Sequence, residues 1–202
     1  MSSDLYTILR ALKQFVLCAV AVALVSTLLF IDIIWLHNAV KEVSLTEIAQ
    51  ETLLGLSALI FFRLAQRHPQ WRYGFVLLGG FLLTMLIREL DGVFDLIVHG
   101  CWVYFALLVT VLCLLGAARN MASTLSGLAC FVRSRSYGIM LCALLCILLF
   151  SRLMGMHQIW ENVLLDGYVR TAKNVVEEGT ELFGYTLCFI ASLQFMRALA
   201  RR

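Results

Sequence analysis

The sequence predicts an all-α integral membrane protein: a bundle of six transmembrane helices with both termini on one positively charged side. Composition, long unbroken apolar stretches and the distribution of charge carry that prediction. Of 202 residues, 61% are hydrophobic and 14% charged, with a mean hydropathy of +0.89. Soluble domains average nearer half apolar and a quarter charged. A membrane span needs roughly 20 apolar residues. The apolar stretches here run well beyond the alternating ten-residue strands of a membrane barrel. Residues 1–202 therefore read as one polytopic domain, with no low-complexity segment or soluble domain.

Apolar windows place the helices at about 14–37, 44–65, 73–91, 100–118, 136–156 and 174–196. The first follows Arg10 and Lys13, like the start of a signal peptide. Its apolar run from Phe15 to about Leu36 is too long for a signal-peptide core, and no clear cleavage site follows, so a retained helix is expected. His68-Pro69-Gln70 carries the only proline and separates the second and third helices. The fourth helix bears no charge from Cys101 to Ala118 and is expected to pack or face lipid. Asn120 to Ser136 is expected to be the longest connection on the basic side, punctuated by Gly and Ser. Met156 to Lys173 is the longest on the other side, with room for a short interfacial helix around Trp160.

Six spans put 11 of the 16 basic residues on one side with a single acid, Asp4, for a formal +10; the other side carries −7. The positive-inside rule makes the basic side cytoplasmic, so the expected location is the cell (inner) membrane with both termini inside. A weak internal repeat accompanies this. His37, His99 and His157 each follow an odd-numbered helix, and Glu47-Ile-Ala-Gln-Glu51 resembles Glu177-Glu178-Gly-Thr-Glu181. Three tandem helical hairpins would produce that pattern, as would chance. The seven cysteines mostly lie in apolar runs and suggest neither a disulfide framework nor a metal motif; Cys142 and Cys146 read as small core residues.

Sequence distance converts into depth at about 1.5 Å per residue. Glu51 lies 12 residues from Arg63 and so falls below the outer surface of a core roughly 30 Å thick. Arg72 to Arg88, Arg135 to Arg152 and Arg197 to Glu181 span 16, 17 and 16 residues, which brings charge from several helices to one shallow depth. Stripes support this: Glu47 and Glu51, Glu177 and Glu181, and Asn174, Glu178, Glu181 and Tyr185 share helix faces. A third helix continuing past Arg88 would add Asp91, Asp95 and His99. The candidate ligand and ion-pair residues are Glu47, Glu51, Arg88, Glu89, Asp91, Arg152, Glu177, Glu178 and Glu181. Asp32, Glu42 and Asp166 read as solvated acids at helix ends. Three bases among the seven inner acids leave carboxylates to be protonated, hydrated or balanced by a cation, unless Arg88 and Arg152 each bridge two carboxylates in a structural network.

The leading expectation is an outward-facing carboxylate-rich site for a divalent cation or small polar ligand. Glu51, Glu181, His99 and His157 are the metal-ligand candidates, for zinc, manganese or iron. No Glu-x-x-His or His-Glu-x-x-His motif sharpens this. One alternative is a metal-dependent intramembrane enzyme acting on lipid or peptide through Glu51, Glu89, Glu181 and His99 or His157. Another is a proton- or ion-coupled transporter or channel lined inside by Ser57, Thr84, Thr110 and Gln194. A structural subunit of a membrane assembly is the plainest. Expected partners are membrane lipids, a second copy or another membrane protein; nucleic acid is disfavoured because the basic residues are a topology signal, not a groove.

Overall fold

The computed structural model describes residues 3–38 and 44–201, and the described residues form helices without a strand. In chain order these are α1 (Ser3–Ile34), α2 (Leu45–Arg67), a 3-10 turn (Pro69–Trp71), α3 (Arg72–Glu89), α4 (Asp91–Asp95), α5 (Trp102–Arg119), α6 (Met121–Val132) and α7 (Ser136–Leu145). A π-helical turn (Cys146–Phe150) continues α7 into α8 (Ser151–Met154), followed by α9 (His157–Leu164), a second 3-10 turn (Leu165–Gly167) and α10 (Arg170–Leu199). Six of these segments are long and apolar enough to cross a membrane: α1, α2, α3 with its preceding turn, α5, α7 through α8, and α10. The chain is a multi-pass membrane protein.

Helix ends depart from the apolar windows for physical reasons. α1 begins at Ser3 and α10 runs from Arg170 to Leu199, beyond 14–37 and 174–196, because charged turns continue a helix outside hydrocarbon. Within the 120–136 connection lies the helix α6, too short to be a span. Asn120 caps it by accepting from the Ser123 N–H at 3.0 Å, and Ser123, Thr124 and Gly127 form its buried face instead of breaking the chain. The expected stripe Arg88, Asp91, Asp95, His99 is corrected. α3 stops at Glu89, Leu90 turns out of helical geometry (ψ 16°), and the helical phase is lost. The helix expected around Trp160 is α9, tied to the preceding span by a 2.5 Å bond from Trp160 Nε1 to the Met154 carbonyl.

α10 sits at the centre, packed on α1, α2, α7 and α8, while α3 packs on α2, α5 and α6. Half of the most apolar window of α10 is buried, against 6% for α1 and 11% for α5. α1 and α5 are therefore the least buried spans. At one end Phe61, Phe75, Phe131 and Phe195 interlock, with ring centroids 5.0 Å apart for Phe131 and Phe195 and 5.4 Å for Phe61 and Phe131. Gly184 lets α10 close on the π turn: a Cβ there would collide with Ile147 and lie 3.3 Å from the Ala143 carbonyl.

Candidate functional site

The polar end is built on the first turns of α2. Its N-terminal amides need acceptors, and Asp32 at the end of α1 supplies them. The Leu45 N–H donates to Oδ1 at 3.0 Å, and the Thr46 N–H and Oγ1 donate to Oδ2 at 2.8 and 2.6 Å. Asp32 is fully buried, which corrects the expectation of a solvated helix-end acid: the carboxylate is stabilised by donors from the next span. Glu42 and the side chain of Asp166 lie outside what is described. Ser44 caps the same helix by accepting from the Glu47 N–H at 3.1 Å, leaving Glu47 half-buried in the first turn.

One turn along, Gln50 is fully buried and its Nε2 donates to the Glu178 carbonyl at 2.9 Å and to Glu178 Oε2 at 3.1 Å. Two acceptors at the nitrogen fix the amide orientation. The other amide atom, Oε1, is buried with no hydrogen-bond partner among the described residues. Glu51 is half-buried on the adjoining face, within electrostatic range of Glu89, and Glu178 also senses Glu89. Among the described residues neither Glu51 nor Glu178 is within ion-pairing distance of a base. Glu89 accepts from the Tyr185 hydroxyl at 2.7 Å and from its neighbour Arg88.

The second half of the cluster is internally balanced. Arg152 bridges two carboxylates, pairing with Glu181 and lying 3.6 Å from Glu177 Oε1. Lys173 Nζ donates to Glu177 Oε2 at 2.6 Å, and Ser151 Oγ donates to Glu181 Oε1 at 2.9 Å. The π turn makes this possible. The Ser151 N–H reaches back five residues to the Cys146 carbonyl, so the extra residue re-aims Ser151 and Arg152 towards α10. Arg152 thus bridges two carboxylates, whereas Arg88 forms an ion pair with one carboxylate, Glu89, among the described residues.

The expected metal set does not assemble. Among the described residues no three His, Cys, Asp or Glu side chains converge to hold a metal ion. His99 is exposed and pairs with Asp95 at 2.7 Å, while His157 spends Nδ1 on the Tyr168 hydroxyl (2.7 Å) and Nε2 on Glu161 (2.9 Å). Both histidines sit in connections between spans, tied to local partners. Asp91 is exposed once α3 has ended. Asp95, also outside the spans, is held below the usual aspartate range chiefly by the Gly100 N–H at 2.8 Å and further by His99, with partial desolvation opposing them.

Gln50 was not singled out by charge, although helical phase places it. It precedes Leu54 and Phe61 by 4 and 11 residues, on the buried face of α2. Compared with known proteins, the chain matches no family, no curated protein and no solved structure.

Proposed function

We propose that the acidic end of this multi-pass membrane protein binds a small cationic ligand bearing N–H donors, at Glu51, Glu178 and the Gln50 carbonyl, beside Glu89. The observation that carries this is the Gln50 amide. It gives its hydrogens to Glu178 and presents a buried acceptor, next to Glu51 and Glu178, which form no ion pair among the described residues. A donor with positive charge would satisfy the orphan acceptor and offset the excess carboxylates together, where an unsatisfied buried acceptor costs roughly 1–3 kcal/mol. Lys173, Glu177, Arg152, Glu181 and Ser151 then act as the frame that holds α8 and α10 in place. The metal-chelating variant draws no support from the lone, locally paired histidines.

The same proposal puts the site on the outer face of the cell (inner) membrane, with both termini cytoplasmic and the spans arranged as three tandem hairpins. The +10 to −7 charge split supports the orientation. The test is thermal unfolding of the detergent-solubilised protein with methylammonium or Mn²⁺. Methylammonium is expected to raise the midpoint of the wild type and not of Glu178→Gln. Stabilisation by Mn²⁺ alone would favour metal binding, and no response to either would remove the reading.

A further inference from the structure

At the end opposite the carboxylates, α6 is clamped against the Pro69–Trp71 turn and the start of α3. A Cβ on Gly74 would lie 2.7 Å from Gly127 Cα and from the Thr124 carbonyl, and one on Gly127 would lie 2.6 Å from the Trp71 carbonyl. Two glycines therefore let the backbones touch. With Ser123, Thr124, Gly127 and Phe131 turned inward, Met121, Leu125 and Val132 stay 55%, 60% and 51% exposed. Twelve residues make roughly 18 Å of helix, too short to cross hydrocarbon. A short helix with an apolar outer face, bounded by Arg119, Arg133 and Arg135, has the character of one lying in the membrane interface.

Between this helix and Trp71 opens a groove of about 620 Å³, lined by Leu125, Ser126, Ala129 and Arg133 among others. Its volume is in the range of small-molecule sites, roughly 300–1,000 Å³. We propose that this groove binds an anionic phospholipid, the phosphate on Arg133 and the upper acyl chain along Leu125 and Ala129. The Arg133 guanidinium presents a planar fork of donors suited to phosphate oxygens. Trp71 is the residue type that settles at headgroup level. Charge complementarity selects the occupant: Arg72 adjoins Trp71, Arg119 and Arg135 flank α6, and residues 52–88 and 96–160 contain no Asp or Glu. A groove with Arg133 in its lining and further arginines close by in sequence attracts anionic headgroups over zwitterionic ones.

Native mass spectrometry of the detergent-purified protein, with dioleoyl-phosphatidylglycerol or dioleoyl-phosphatidylcholine added, tests the site. The expected result is preferential retention of the anionic lipid. Arg133→Gln should lower it about fivefold, the contribution of one basic residue near an anionic surface. Ala129→Trp, which fills the groove and keeps every charge, should lower retention of the anionic lipid as well. Arg10→Gln, on the remote α1, should leave it unchanged. Equal retention of the two lipids, wild-type retention in both groove variants, or full displacement by inorganic phosphate would each overturn the proposal. Far-ultraviolet circular dichroism of the variants separates loss of the site from loss of the fold.

Discussion

The Tyr185 hydroxyl donates a 2.7 Å hydrogen bond to Oε1 of Glu89, joining the middle of α10 to the last residue of α3 across 96 positions of sequence. Tyr185 is fully buried, and the Glu89 side chain is only 10% exposed. Tyr185→Phe keeps the ring and removes the donor. It is expected to lower unfolding free energy by roughly 0.5–1.5 kcal/mol, the net worth of one hydrogen bond, since Arg88 still donates to Glu89. Tyr185→Ala should cost more, by about 3–5 kcal/mol for a large buried ring. Denaturant unfolding in micelles reads both. An unchanged Tyr185→Phe would show that the bond contributes nothing.

Arg152 and Glu181 form the frame of the cluster, and their coupling should be measurable. Because the Arg152 side chain is 42% exposed, solvent screening reduces the pair below a fully buried one. A double-mutant cycle with Arg152→Ala and Glu181→Ala is expected to return a coupling of about 1 kcal/mol or more. Ser151→Ala should weaken the frame less, since Glu181 keeps Arg152. A coupling indistinguishable from zero would mean that α8 and α10 are held by packing alone.

Asp32 predicts a local effect of a different kind. Asp32→Ala removes the acceptor of two amides and one hydroxyl at the start of α2. Hydrogen exchange at Leu45 and Thr46 should accelerate, with roughly 1–3 kcal/mol lost from global stability. Asp32→Asn keeps one acceptor oxygen and should fall between Asp32→Ala and wild type. Unaltered exchange in Asp32→Ala would refute the capping role.

Asp95 supplies a pH signature. Its folded pKa is depressed, so its stabilisation is present above the unfolded aspartate pKa and is lost as pH falls through the folded value. His99→Gln should move the carboxyl upward only in part, because the Gly100 amide is the larger cause. Carboxyl titration by NMR in micelles checks this. Complete return to the ordinary aspartate range in His99→Gln would assign the depression to the imidazole instead.

Six spans were legible because hydropathy is a one-dimensional signal that lipid enforces locally. Rise per residue carries height from sequence, and Arg152 and Glu181, which it brings to one depth, pair between α8 and α10. Partners were less legible. Asp32 looked like a solvated end because its donors lie 13 and 14 residues on, in the next span. The π turn left no mark in the apolar run Cys146–Phe150, so the aim of Ser151 and Arg152 could not be read from phase. α6 was hidden for the opposite reason, its Ser and Gly residues being contact surface rather than punctuation.

Calorimetric titration of the detergent-purified protein with methylammonium reads the ligand site around Gln50, Glu51 and Glu178. Saturable binding with one site per chain is expected, weakened about tenfold or more in Glu178→Gln and in Glu51→Gln, a change of about 1.4 kcal/mol. Gln50→Leu, which removes the orphan acceptor, should weaken it too. Absence of binding to the folded wild type, or equal affinity in all three variants, would contradict the claim.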